Sequence, residues 1–91
     1  MMPIINSIKF PEKSNAIILE PRDCHSPAII RYDSERDRAV YSERLFLMSL
    51  MACNDWHYSE AVEWFLYNTM GCSHMANYPA FIDADGEEVV A

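Results

Sequence analysis

Apolar and polar positions follow two regimes along this chain. Up to residue 41 the apolar residues come in short runs cut by prolines and polar turns, which predicts strands. Ile4, Ile5, Ile8 and Phe10 alternate loosely, giving a first strand that Pro11 ends. Ala16, Ile17, Ile18 and Leu19 form a second short run, stopped by Pro21. A loop over residues 22–26 leads to a third run at residues 28–32. The charged segment 33–38 predicts a turn, and residues 39–41 a further extended piece. This succession predicts an antiparallel meander over residues 3–41.

From residue 42 the period lengthens. Ser42 is suited to cap a helix over about residues 43–53, with Glu43 favourable at the positive end of the helix dipole. This helix is apolar nearly all round, which predicts burial on most of its faces. Asn54 and Asp55 end it. Ser59 is the expected cap of a second helix over about residues 60–70, closed by Gly71 in the left-handed conformation. At helical spacing, Ala61, Val62, Phe65, Leu66 and Met70 share one side, and Glu60, Glu63 and Tyr67 share another. Residues 78–82 predict an edge strand, where Pro79 is tolerable. Residues 83–91 form an acidic tail with a turn at Asp85-Gly86. The predicted fold is α+β: a small antiparallel sheet with two helices packed on one face, in a single domain spanning 1–91.

Charge sharpens this picture. All seven Lys and Arg residues lie within the first 44 positions, balanced there by seven carboxylates. The remaining seven carboxylates (Asp55, Glu60, Glu63, Asp83, Asp85, Glu87 and Glu88) face no cation in their half, so the formal charge of −7 belongs to the second half. A one-signed surface steers encounters towards basic partners and away from nucleic acid. The longest apolar stretch, residues 45–53, is about half of what a membrane span requires. No basic segment followed by a long apolar run marks a signal peptide. Three cysteines, Cys24, Cys53 and Cys72, are too few and odd in number for a disulfide scaffold, and predict unpaired thiols in a reducing cytoplasm.

Candidate chemistry is sparse. Cysteine and histidine fall in three pairs (Cys24 with His25, Cys53 with His57, Cys72 with His74), yet none has the spacing usual for structural zinc. Gly86 stands at the fourth position of the stretch beginning at Asp83 and not at the sixth, which a calcium loop of the EF-hand type needs, so a solvated turn is expected. Two glycines leave little material for an oxyanion loop, and no Gly-rich loop precedes a helix. The chain is therefore expected to be neither an enzyme nor dependent on a cofactor or metal. Protein binding remains: Asp55, Glu60, Glu63, Tyr67, Asp83, Asp85, Glu87 and Glu88 are the candidate contact residues, set among Trp56, Tyr58, Trp64 and Tyr78.

A succession of short pieces adds to this reading. It comprises Ile18-Leu19-Glu20-Pro21 with Asp23, Pro27-Ala28-Ile29-Ile30, Val40-Tyr41-Ser42, Glu60-Ala61-Val62-Glu63-Trp64-Phe65-Leu66-Tyr67-Asn68 with Gly71, and Pro79-Ala80-Phe81-Ile82. In this order, over most of residues 18–82, they resemble small accessory proteins of tailed bacteriophages and prophages. The six methionines, the Cys/His pairs and the tail after Ile82 depart from that pattern. The resemblance implies a bacterial host cytoplasm and assigns no catalytic residue. Anti-CRISPR and anti-restriction proteins are similar in being small, single-domain and acidic. The expected function is thus a non-enzymatic inhibitor, monomer or homodimer, that blocks a basic nucleic-acid-binding surface of a host defence complex without touching nucleic acid or membrane. Two alternatives are a regulatory subunit of a phage enzyme held through apolar surface, and a small zinc-binding module.

Overall fold

The computed structural model describes residues 8–72 and 74–89. Its centre is a three-stranded sheet in the order β1 (Ile29–Asp33), β2 (Arg38–Ser42), β3 (Ala80–Ile82). The β1–β2 pair is an antiparallel hairpin, with Tyr32 opposite Ala39 and Asp33 opposite Arg38. β3 runs parallel to β2, pairing Tyr41 with Phe81. The fold is α+β, but the sheet is mixed and lies later in the chain than residues 3–41. A parallel pair needs a crossover, and the helical region between β2 and β3 supplies it. Two further helices matter: α2 (Glu43–Asn54) and α3 (Tyr58–Trp64), preceded in the chain by the four-residue α1 (Arg22–His25).

The expected first strand is not one over residues 8–10, and its residues 4–7 lie outside the described residues. Residues 16–20 do not join the sheet. The Ile17 amide donates to the Asn77 carbonyl at 3.0 Å, and the Leu19 amide to the Tyr41 hydroxyl at 3.0 Å. These donors are met by a loop and a side chain, so no ladder forms. Asp37, left-handed at φ 48°, ties the segments together. Its carboxylate accepts from the Ser14 and Tyr32 hydroxyls, both at 2.6 Å, and from the Asn15 amide at 2.8 Å, while Asn77 Nδ2 donates to its carbonyl at 2.9 Å. These bonds to the ionised form hold its carboxyl below the usual carboxylate range.

Aromatic residues form the core. Phe46, buried on α2, lies 5.2 Å from Phe81, 5.8 Å from Tyr41 and 5.9 Å from Phe65 between ring centroids. Ser42 caps α2 as expected, its hydroxyl accepting from the Leu45 amide at 3.2 Å. Burial of α2 is narrower than its composition predicts: Phe46, Leu47 and Leu50 are buried, whereas Leu45 and Met48 are 40% and 49% exposed.

The expectation of unpaired thiols is overturned for two of the three cysteines. α1 packs on α2, and Cys24 and Cys53 are joined as a disulfide with Cα atoms 6.4 Å apart, inside the range such a bond requires. Sequence spacing cannot give this connectivity, because the helix carrying Cys24 was expected to be loop. Cys72 is a free thiol. The bridge links positions 29 apart, so reduction or Cys53→Ser is expected to lower stability by about 2–4 kcal/mol. Urea denaturation with and without reductant measures this.

Buried His25 adds a pH dependence. Its ring lies 4.6 Å from Phe46, and Nδ1 is 2.6 Å from the Ser49 hydroxyl, which donates to the Phe46 carbonyl at 2.7 Å. With the serine proton so used, the Ser49 oxygen is left to accept a proton from Nδ1. Burial lowers the His25 pKa. The unfolded chain takes up the proton first, near pH 6.5. The stabilisation is therefore complete above that pH and is lost as pH falls towards the lowered folded value. The urea midpoint should drop between pH 7 and pH 5, and less so in His25→Gln.

Candidate docking face

The chain leaves α2 through Asp55, which takes the left-handed conformation at φ 56°. The Trp56 amide then donates to the Met51 carbonyl at 3.1 Å, which fixes the turn. His57, not Ser59, is the cap of α3. The Glu60 carboxylate reaches back to accept from the His57 amide at 3.0 Å; this carboxylate-to-cap bond is half of a capping box.

α3 does not continue as a regular helix. Residues Phe65–Thr69 form a π turn, followed by a 3₁₀ turn at Met70–Cys72. The wider turn lets both Thr69 and Met70 join Phe65 in the core and rotates Leu66 outward, to 54% exposure. Leu66 therefore belongs to the surface and not to the buried side where its spacing placed it. Gly71 lies within the 3₁₀ turn and has no left-handed conformation.

This geometry brings three of the candidate residues together. Glu60, Glu63 and Tyr67 line one groove of about 410 Å³ with Trp56, Trp64 and Asn68. The two indole rings are 6.3 Å apart between centroids and inclined at 46°. The Glu63 side chain has no hydrogen-bond or ionic partner among the described residues. Asn68 was not foreseen; it lies in the π turn, and its Nδ2 donates to the Trp64 carbonyl at 3.2 Å. Beside this groove runs an apolar strip. Tyr58, Val62, Leu66 and Tyr67 share one depression with Glu63, and Tyr58 shares another with Met48 and Met51 of α2 and with Arg44. Tyr58 and Tyr67 are 62% and 79% exposed.

The other candidates lie elsewhere. Asp55 is exposed at the end of α2, next to Trp56 in sequence. Residues 83–89 form a turn folded back on the sheet. The Asp83 carboxylate accepts from the Asp85 and Glu87 amides at 2.9 and 3.0 Å, Gly86 has φ 82°, and the Val89 amide donates to the Phe81 carbonyl at 2.8 Å. Burial, and then the charge of Asp83, raise the Glu43 carboxyl above its ordinary value. Glu88 is bound by Arg38 at 3.3 Å, and Arg38 also holds Asp33 at 3.0 Å. Asp83 is thus committed to its turn and Glu88 to Arg38, while Asp85 and Glu87 have side chains free of ionic partners among the described residues.

Among the described residues no group of three His, Cys, Asp or Glu is placed to hold a metal ion. The disulfide takes Cys24 and Cys53 out of use as thiolate ligands. No helix among the described residues is long and apolar enough to cross a membrane. Comparison with protein-family models, curated proteins and solved structures finds no match.

Proposed function

We propose that this protein is a non-enzymatic docking module whose α3 face binds a basic surface on another protein. The observation that supports this most is the joining of exposed aromatic and aliphatic side chains to Glu60 and Glu63 on one face. Apolar and aromatic groups supply desolvation energy at an interface, and rim charges set encounter rate and register. A core does not need Tyr58, Leu66 and Tyr67 at the surface, and solubility alone would not place aromatic side chains there.

In its fuller form the proposal is an inhibitor of phage type, acting in a bacterial host cytoplasm. It would occlude an Arg/Lys-lined surface that otherwise receives DNA or RNA. Asp85 and Glu87 would add long-range attraction from the C-terminal turn. In a reducing cytoplasm the Cys24–Cys53 bridge would open, so activity there requires the α3 face to survive without it. A regulatory subunit held through apolar surface is favoured by the same exposed strip, and the two readings differ in salt dependence.

The test is capture of partners from bacterial lysate on the tagged protein, eluted by stepped salt and repeated with competing DNA. Screening shortens from about 10 Å at 0.1 M to about 3 Å at 1 M. Release of a nucleic-acid-handling protein at moderate salt, and its displacement by DNA, is expected. A partner retained at 1 M salt and indifferent to DNA would overturn occlusion in favour of the regulatory subunit.

A further inference from the structure

We infer that the groove lined by Trp56, Trp64, Glu60 and Glu63 is a receptor for a single arginine side chain of the partner. This rests on the α3 face being the docking surface, and it names what the centre of that face recognises. Three features of the groove select a guanidinium.

The first is shape. The two indoles are inclined at 46° with centroids 6.3 Å apart, so they do not face each other as the parallel walls of a closed box. A planar guanidinium stacks on one indole face and leaves its edge free, whereas a compact ammonium is held best by several ring faces at once. The second is the arrangement of acceptors. Glu63 has both carboxylate oxygens without a partner among the described residues, ready for a paired bond to two guanidinium N–H groups. Glu60 is anchored by its bond to the His57 amide, which occupies Oε1 and leaves Oε2. The third is fixity. Trp56 follows the left-handed Asp55 and its backbone is bonded to Met51, and Trp64 is the last residue before the π turn. Half-buried rings held by such a frame lose little freedom on binding.

Charge complementarity decides the occupant. The groove is lined by two carboxylates and no cation. An acidic side chain would meet like charge there, and a neutral apolar one would leave Glu63 without a counter-charge.

The chain has two tryptophans, and both line this groove, so their indole N–H signals in NMR report on it directly. The probes are blocked Gly-Arg-Gly, Gly-Lys-Gly and Gly-citrulline-Gly peptides titrated into the intact protein. Both indole signals are expected to move with the arginine peptide and saturate in the millimolar range. The lysine peptide should bind several-fold more weakly, and the citrulline peptide should leave the signals in place. Glu63→Gln should weaken the arginine peptide about tenfold, as loss of a charge-assisted bond predicts, with the folded spectrum retained. Equal binding of the lysine and arginine peptides, or indole signals indifferent to all three, would overturn the inference. If the signals stay still while charge reversal on α3 still abolishes partner capture, the arginine receptor alone is lost. If capture also survives charge reversal, the docking face is lost with it.

Discussion

Replacing Glu60 and Glu63 together by lysine is expected to abolish partner capture. The reversal places two positive charges beside Trp56 and Trp64, where a basic partner must approach. Like charges juxtaposed at an interface cost several kcal/mol, which at about 1.4 kcal/mol per tenfold change is at least a hundredfold loss of affinity. The control is Glu12→Lys with Glu35→Lys. Both residues are exposed and lie outside the α3 groove, and the pair changes net charge by the same amount. Capture by this control should be weakened only through the long-range field, and the difference should vanish at high salt. Equal losses in the two variants would mean that net charge alone drives association. Folding of the first variant is checked by its urea midpoint, because Glu60 also contributes to the cap of α3 and the loss of a cap costs about 1 kcal/mol.

The largest effect on stability is expected from Phe46→Ala. Phe46 is 1% exposed and meets Tyr41, Phe65, Phe81 and His25, so it joins β2, β3, α1 and the π turn to α2. Truncating a buried phenylalanine costs about 3–5 kcal/mol, the lost transfer energy being compounded by the cavity left behind. Domains of this kind are stable by about 5–15 kcal/mol, so much of the margin would go. Leu66→Ala provides the contrast: at 54% exposure it should change stability by no more than about 0.5 kcal/mol, while weakening partner capture. Urea denaturation followed by circular dichroism measures both. A cost below about 1 kcal/mol for Phe46→Ala would show that the four aromatic rings are not the organising core.

The elements that could be read from the chain are those with local signals. The β1–β2 hairpin follows from short apolar runs separated by a charged turn. α2 follows from the Ser42 cap and the lengthened period. The last strand was placed correctly, but three residues carry no information about direction, and its parallel pairing with β2 is set by the helical crossover. Residues 16–20 have the composition of a strand; the Ile17 and Leu19 amides are instead claimed by Asn77 and Tyr41, which are distant in sequence. The Cys24–Cys53 bridge depends on α1 packing against α2, again a tertiary matter.

The docking face was half legible. Glu60, Glu63 and Tyr67 share a side by helical spacing, and the groove contains all three. The π turn has no sequence signature, so Leu66 was assigned to the core and Asn68 was not considered. Charge segregation along the sequence is also weaker in space than in order, because Arg38 crosses to Glu88. What remains one-signed is the α3 groove itself.

The most direct measurement is zero-length carbodiimide cross-linking of the captured complex, which joins carboxylates to amines in contact, read by mass spectrometry. Cross-links from Glu60 and from Asp55, at the edge of the α3 face, to lysines of the partner's nucleic-acid-binding surface are the expected result, with Glu63, paired to an arginine, left unlinked. Cross-links confined to carboxylates of the first 44 residues, such as Glu12, Glu20 and Glu35, would contradict docking through α3.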